Sequence, residues 1–399
     1  MIKLDVWLTF CDGRKFLCGE IVCGVPDSHG RIEGAFRYSP EYLDHPESFP
    51  LDPVSLSLKS GVFECPRPSG VFAVFEDSLP DDWGRRLLVR RADLPRGRQT
   101  VPDLLNALGG NGMGALSYFQ ETPGDTEKQY TAIYQLETLL DAAARFEMGE
   151  TEEDPGLRML FNAGSSPGGA RPKALIADND NSLLIAKFPS IKDTFSIVPA
   201  EAATMSLAQK AGLNIPAFRM ISCGSKNVLL VQRFDISEKG GRKHMISMQT
   251  LLETEGWYNA GYQDLIKILK KHSSIPEQDI PALFRQMVFN AFIGNTDDHL
   301  KNFTMLHDDE KGFFLSPAYD LLPDINNNRE HVLYFEHSHY FPGIDSLLAI
   351  GKRAGVMRTQ KIIDDVIDSI TGWKNEFKRF GVPAIEIDRI APGIERRIG

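Results

Sequence analysis

The sequence predicts an α+β protein in which strands dominate the first part of the chain and helices the second. Short β-type runs such as Val6 to Phe10 and Leu17 to Val22 are separated by Gly, Pro and Asp turns. From Ile280 onwards, apolar residues recur with the period of a helix. Strands and helices that are segregated along the chain are typical of the α+β class.

Composition limits the possible functions. Of the 399 residues, 42% are hydrophobic and 25% are charged, which is ordinary for a globular protein of two or three domains. The net charge of −10 argues against tight sequence-independent DNA binding by this chain alone, because phosphate contacts dominate that affinity. No apolar run approaches the roughly 20 residues that span a bilayer, and Asp5 lies where a signal peptide would be apolar. We therefore expect a cytoplasmic protein without a membrane partner.

The cysteines predict no disulfide framework. There are 5, an odd number, and no two form a C-x-x-C pair, so reduced and buried thiols are expected. A metal site formed by Cys11, Cys18 and Cys23 is the alternative, although their spacing matches no zinc signature.

The first 120 residues have the pattern of a mixed α/β unit. Val71 to Phe75 resembles a further strand, and Asp82 to Arg91 is predicted to be a helix. The polar stretch from Glu121 to Gln129 is a candidate boundary.

The middle of the chain predicts two hairpins separated by a helix. The first pairs Ala174 to Ala177 with Leu183 to Phe188, and the helix runs from Ala200 to Ala211. The second hairpin pairs Phe218 to Cys223 with Val228 to Phe234 around a turn at residues 224–227.

Two helices stand out in the last part. The helix from Ile280 has an apolar stripe at helical spacing. The stripe comprises Leu283, Phe284, Met287, Val288, Ala291 and Phe292. A later helix is expected to carry Ile362 to Trp373 with its apolar residues on one side.

The segment from Ile293 to Phe303 contains the most informative polar pattern. Asp297 and Asn302 have the D-x-x-x-x-N spacing of a kinase catalytic loop, in which the Asp orients the acceptor hydroxyl and the Asn oxygen binds a metal ion. Asp320, 18 residues beyond Asn302, follows an apolar strand-like run and is a candidate metal ligand. The alternatives are ordinary loop polar residues and a capping Asp.

Two further residues fit the same chemistry. Lys187 lies within an apolar strand, where an ammonium is costly unless it meets an anion, and ATP phosphate would supply one. Glu201 on the following helix could hold that lysine in place. An edge-strand lysine reaching solvent and a surface glutamate near a helix N-terminus remain the alternatives.

The loop from Gly164 to Lys173 could cover the phosphates. It lacks the G-x-x-x-x-G-K-[ST] pattern of a P-loop, and a strand rather than a helix is predicted to follow it. A glycine-rich loop that leads into a strand suits a flap of the kind found in kinases. The order of flap, strand lysine, helix glutamate, D-x-x-x-x-N and metal Asp is the order of a kinase.

Taken together, these residues resemble the HipA family, the serine/threonine-kinase toxins of bacterial toxin–antitoxin pairs. The most specific segments are Gly294 to Phe303, Pro317 to Pro323, Leu184 to Pro189 and Val231 to Asp235, with Phe75 to Asp81 resembling the N-terminal domain of the family. The resemblance implies a two-lobed protein-kinase-like core, with a β-rich N-lobe and an α-helical C-lobe, preceded by an extra α/β domain. The implied domains are residues 1–124, 125–236 and 237–399.

The resemblance also implies roles for individual residues, with ATP and Mg²⁺ as cofactors. Asp297 would be catalytic, and Asn302 and Asp320 would bind Mg²⁺. Nucleotide contacts would come from Gly168, Gly169, Ala170, Arg171, Pro172, Lys173, Lys187, Glu201, Gln232, Arg233, Phe234, His299, Lys301, Asn302, Tyr319 and Asp320. Ser166 falls where the family places a self-phosphorylated serine, and because Ser165 lies beside it, either serine would be modified.

Implied partners are a protein substrate, with an aminoacyl-tRNA synthetase as a known class, and a small helix-turn-helix antitoxin. DNA would then be reached only through that antitoxin. Other functions that the residues allow are a lipid or small-molecule kinase, an inactive kinase-fold co-repressor and, least favoured, a metalloprotein using His331, His337 and His339.

Overall fold

The computed structural model describes residues 1–121, 130–150, 155–164, 171–256 and 259–398. The strands are β1 (Ile2–Thr9), β2 (Lys15–Cys23), β3 (Gly34–Tyr38), β4 (Phe63–Glu64), β5 (Leu116–Phe119), β6 (Thr131–Ala132), β7 (Lys173–Ala177), β8 (Leu183–Lys187), β9 (Phe218–Cys223), β10 (Lys226–Gln232), β11 (His244–Ser247), β12 (Thr304–Asp308) and β13 (Gly312–Leu315). The helices are α1 (Pro40–Leu43), α2 (Ala73–Glu76), α3 (Asp82–Arg91), α4 (Val101–Leu108), α5 (Leu136–Glu147), α6 (Pro155–Gly164), α7 (Ile197–Lys210), α8 (Met248–Leu251), α9 (Tyr262–His272), α10 (Pro276–Ile293), α11 (Gly343–Ala354), α12 (Thr359–Thr371), α13 (Trp373–Arg379) and α14 (Ala384–Ile398).

The chain forms two compact units that interleave along the sequence. The first comprises Met1–Ile191, Gln232–Ile246 and Leu306–Glu310, and the second comprises the remaining segments, Lys192–Val231, Ser247–Met305 and Lys311–Gly399. The predicted domain limits at residues 124 and 236 remain a prediction.

The first unit is organised around an antiparallel sheet of order β4-β3-β2-β1-β5. Strand β1 buries alternate residues, including Leu4, Val6 and Leu8, because successive side chains of a strand point to opposite faces. Strands β7 and β8 form the predicted antiparallel hairpin, and β6 pairs with β7 in parallel.

The second unit contains most of the helices. Helix α10 buries the whole predicted stripe, and it also buries Gln286, Phe289 and Asn290. It packs against α9, α12 and α14, so more than one of its faces is covered. Helix α7 is buried along most of its length and packs against β9 and β10.

Three local predictions differ from the structure. The apolar run from Val71 to Phe75 is not a strand, since the chain enters α2 at Ala73; a run this short satisfies either pattern once its residues are buried. Trp373 begins a separate helix after Gly372. The second hairpin has a tighter turn than predicted, because Lys226 already pairs with Cys223.

Candidate functional site

The D-x-x-x-x-N segment follows directly from α10. That helix ends at Gly294, whose φ of +74° requires a conformation that glycine adopts without strain. The chain then runs through Asp297 into a short 3₁₀ turn, Leu300–Asn302. The turn brings Asn302 back toward Asp297, and its side-chain Nδ2 donates a 2.9 Å hydrogen bond to the Asp297 backbone carbonyl. The amide oxygen of Asn302 is thereby left for another partner.

The Asp297 carboxylate lies where negative charge converges. Partial loss of hydration raises its pKa above the ordinary value, and the charges of Asp320, Asp298 and Asp324 add to the rise, while His299 opposes it. The side chain nevertheless keeps 82% of its surface open to solvent, with His299 Nε2 at 4.0 Å from Oδ1. The neighbouring carboxylates therefore add to the effect of partial burial, and negative charge of this kind favours a nearby cation.

Tyr319 fixes the end of the same segment. Its hydroxyl donates to the Lys301 carbonyl at 2.7 Å and accepts from the Thr304 hydroxyl at 2.6 Å. Since a phenol has a single proton, the donation to Lys301 leaves Thr304 as the second donor. The Lys301 side chain is exposed, and His299 and Asn302 are half-buried.

Asp320 has a strained backbone. Its φ is +52°, in the left-handed region that non-glycine residues seldom occupy, although Asp tolerates it better than most. The segment that leads to it is fixed by the Ser316 N–H donating to the Thr304 carbonyl at 2.9 Å and the Ala318 N–H donating to the Asn214 carbonyl at 2.8 Å. Residues held in such conformations cluster at functional sites.

Asp298 differs completely from its neighbour. Its side chain is fully buried and accepts hydrogen bonds from the Tyr262 hydroxyl at 2.6 Å, from His331 Nδ1 at 3.1 Å and from the N–H groups of Val332 and Leu333 at 2.9 and 3.3 Å. The sequence pattern gave no sign of Tyr262 or His331. Only the repetition of acidic residues at 297–298 could have indicated that one of them is structural.

In the first unit, Lys187 lies opposite Lys173 on the adjacent strand. Lys173 is buried and Lys187 half-buried. Directly opposed residues of an antiparallel pair project to the same face, where two like charges destabilise each other. The half-buried Arg171 and buried Pro172 precede Lys173, and the Pro172 carbonyl accepts from the Phe188 N–H at 2.9 Å.

The segment after β10 has a structural ion pair. The Arg233 guanidinium, fully buried, donates to both carboxylate oxygens of Asp235, at 2.9 and 2.5 Å. The Gly114 N–H also donates to Asp235 at 2.8 Å. The Arg233 side chain is buried in this pair, its Nη1 has no hydrogen-bond partner among the described residues, and its predicted nucleotide contact stays a prediction. Gln232 is exposed and Phe234 half-buried.

The other predicted site residues lie elsewhere. Glu201 is buried on α7. The predicted flap residues Ser165, Ser166, Gly168, Gly169 and Ala170 lie outside the described residues. Those residues that are described contain no group of three His, Cys, Asp or Glu side chains that could hold a metal ion. Of the three histidines of the metalloprotein alternative, His331 is buried against Asp298, His337 is exposed, and the ring of His339 lies tilted against that of Tyr334.

Family models match most of this architecture. Residues 165–373 match the model described as HipA-like C-terminal domain, and residues 19–119 match the HipA N-terminal domain. The first match alone spans more than half of the chain. The chain belongs to the HipA family. The two-lobed, kinase-like α+β fold predicted from the sequence is confirmed with it.

Two relatives named as kinases match this chain over most of their length. A protein named "Putative kinase Y4mE" from Sinorhizobium fredii is 29% identical over 81% of this chain and 77% of its own. "Putative kinase Y4dM" from the same organism is 24% identical over 80% and 81%. The structure also resembles the Shewanella oneidensis HipA chain solved with HipB and operator DNA, with a TM-score of 0.68, 18% identity and coverage of 99% and 95%. Within the described residues, no helix is long and apolar enough to cross a membrane.

Proposed function

We propose that this HipA-family chain is an ATP-dependent serine/threonine protein kinase that acts as a toxin. The observation that carries the proposal is the arrangement at residues 297–302, in which Asn302 donates its amide N–H to the Asp297 carbonyl and so leaves its oxygen available. The carboxylate of Asp320 interacts with Asp297, because its negative charge adds to the rise in the pKa of Asp297. The names of the Sinorhizobium relatives, both given as kinases, support the same activity.

The donor set suits Mg²⁺. Mg²⁺ prefers oxygen ligands and is usually held by one or two protein groups together with substrate phosphates. The Asn302 amide oxygen and the Asp320 carboxylate are such groups, and no larger cluster of ligands is required. When bound, the metal ion would neutralise charge that develops on the phosphates.

Side chains of this protein would carry out proton transfer and bind the nucleotide. Asp297 would orient the acceptor hydroxyl and receive its proton while the acceptor oxygen bonds to the γ-phosphorus and the bond to the ADP oxygen breaks. Its exposed side chain leaves room for an acceptor to approach. Lys187 and Lys173 would contact phosphate, and Glu201 would support the lysine. Gln232, Phe234, His299, Lys301 and Tyr319 would line the nucleotide.

The proposed acceptor is a cellular protein, and an aminoacyl-tRNA synthetase is the class that the family resemblance suggests. The flap serine Ser166, or Ser165, would be a second acceptor on the chain itself. The Shewanella HipA was solved with HipB and operator DNA. By analogy we propose a small helix-turn-helix antitoxin as partner, with DNA reached through it, because the net charge of −10 disfavours direct binding.

A labelling experiment tests the proposal. The purified full chain is incubated with γ-labelled ATP, Mg²⁺ and a cell lysate, and the labelled species are separated and identified. Label on serine or threonine of a protein supports the proposal, and label recovered only in lipid or small molecules favours a different acceptor class. Absence of any transfer, including to the chain itself, would favour an inactive kinase-fold co-repressor.

A further inference from the structure

Asp298 has no part in the proposed reaction, yet it is the best-connected carboxylate of the catalytic segment. Both of its oxygens are fully buried, and each accepts two hydrogen bonds. A buried carboxylate is costly unless its lone pairs are satisfied. These four bonds provide that satisfaction, and they come from two segments that are distant from Asp298 in sequence.

The first segment is the start of α9. Tyr262, the first residue of that helix, donates to Asp298 and accepts from Asn290 Nδ2 at 3.1 Å. The oxygen of Asn290 in turn accepts from Asn295 Nδ2 at 3.2 Å. Burial, and then the neighbouring Asp298 charge, raise the pKa of Tyr262 well above its ordinary value, so the phenol remains a donor. These hydrogen bonds form one network, which holds residues 295 and 298 in place on either side of Asp297.

The second segment is residues 331–335. The Val332 N–H that reaches Asp298 is shared with the Thr296 carbonyl, to which it donates at 3.1 Å. The Tyr262 ring stacks on Phe335 with centroids 5.4 Å apart, and the His331 ring meets Phe335 edge-on at 4.8 Å. This segment is thus bonded to the backbone immediately before Asp297 and to the side chain immediately after it.

The neighbouring side chains have opposite environments as a result. Asp298 is held inward by four bonds, and Asp297, one residue earlier, is 82% exposed. With residues 295, 296 and 298 all fixed, the peptide that carries Asp297 has little freedom left to rotate. A displacement of about 1 Å in a catalytic group can cost on the order of 100-fold in rate.

We propose that Asp298 is a positioning residue for phosphoryl transfer. Its buried charge locks the backbone on both sides of Asp297 to residues 331–335 and to Tyr262, and so presents the Asp297 carboxylate to the acceptor hydroxyl. Residues 331–335 then form a fixed support for the acceptor side of the reaction. The assignment of Asp297 as the catalytic group rests on the proposed function, whereas the locking of the segment by Asp298 does not.

Asp298→Asn is the primary test, because it keeps the shape but loses an acceptor for Tyr262 or His331. We expect kcat to fall about 10- to 100-fold while the ATP dissociation constant stays within about twofold. Tyr262→Phe removes one of the four bonds and should give a smaller fall of the same kind. Asp345→Asn and Tyr134→Phe, both at exposed positions, are matched controls that should leave kcat unchanged.

A measurement independent of activity separates this inference from the kinase proposal. In Asp298→Asn, amide hydrogen exchange should rise together in residues 295–302 and 331–335, while the middle of α10 keeps wild-type protection. That pattern supports positioning even if the wild-type chain transfers no phosphate. Wild-type exchange in both segments, an unchanged kcat, or loss of ATP binding in parallel with kcat would each overturn it. If Asp298→Asn does not fold, Tyr262→Phe decides by the same readouts.

Discussion

The side-chain amide of Asn302 donates a 2.9 Å hydrogen bond to the backbone carbonyl of Asp297, so the two ends of the D-x-x-x-x-N pattern hold each other directly. This bond fixes the direction of the Asn302 oxygen without using any side-chain atom of Asp297. The two proposed roles, acting on the acceptor and binding the metal ion, can therefore be separated by mutation.

Asp297→Ala should abolish phosphoryl transfer and spare nucleotide binding. The carboxylate acts on the acceptor, and positioned acid–base groups typically contribute 10²- to 10⁴-fold, so a loss of about that size is expected in kcat. Initial rates with labelled ATP and calorimetric ATP titration measure the two properties. Near-normal turnover in the variant would show that another group serves this role.

The control for that variant needs care. Asp298, the neighbouring residue, is unsuitable because it is buried and accepts four hydrogen bonds. Asp345, exposed in the first turn of α11, is a better choice, and Asp345→Ala should retain full activity.

Asp320→Ala should remove the Mg²⁺ dependence of ATP binding. Its carboxylate is proposed to reach the phosphates through the metal ion, so the variant should bind ATP alike with and without Mg²⁺. Loss of the carboxylate should also lower the pKa of Asp297, since Asp320 is one cause of its rise. Calorimetry in Mg²⁺ and in a chelator measures the first effect. If Asp320→Ala gained as much ATP affinity on adding Mg²⁺ as the wild type does, Asp320 would be excluded as a ligand.

Self-phosphorylation of Ser166, or of Ser165, should switch the protein off. A phosphate adds about −1.5 to −2 charge at neutral pH, which would repel the ATP phosphates if the flap covers them. Mass spectrometry after incubation with Mg²⁺-ATP locates the modification, and ATP titration of the modified form measures its effect. Two results would contradict the prediction: an active preparation without phosphate on either serine, or a phosphorylated form with unchanged ATP affinity. Ser166→Ala with Ser165→Ala should stay active.

Stability should fall as pH decreases from neutrality, because of buried histidines in the first unit. Burial lowers the pKa of His244 from 6.5 to about 4, and burial lowers that of His307 to about 3. A base whose folded pKa is depressed stays neutral in the folded state, so the unfolded state binds more protons below pH 6.5. Stability is therefore complete above pH 6.5 and is lost progressively toward pH 4. For His244 the loss is about 2 kcal/mol at pH 5.

Denaturant unfolding of the full chain at pH 7.5 and pH 5 measures this effect. His244 Nε2 donates to the Leu51 carbonyl at 2.8 Å, and a glutamine amide can supply that donor. His244→Gln should thus reduce the difference between the two pH values, while the exposed control His29→Gln should not. An equal pH dependence in wild type and His244→Gln would rule out this origin.

Much of the secondary structure could be predicted from the periodicity of apolar residues in the sequence. The β7–β8 hairpin, helix α3 and the apolar stripe of α10 follow from patterns within a few residues, and the structure confirms them. Local patterns fail where the information is not local. The run from Val71 to Phe75 is apolar whether it is a strand or a short helix, and packing selected the helix α2.

The polar spacing of Asp297, Asn302 and Asp320 led from sequence to the family, and the family models support that recognition. Sequence alone could not separate Asp297 from Asp298 physically, since both are carboxylates in one polar loop. The tertiary structure did so, because Tyr262 and residues 331–333, 36 and about 34 positions away, bury one carboxylate and leave its neighbour exposed. Hydrogen-bond partners at such separations are chosen by packing, and no local pattern specifies them.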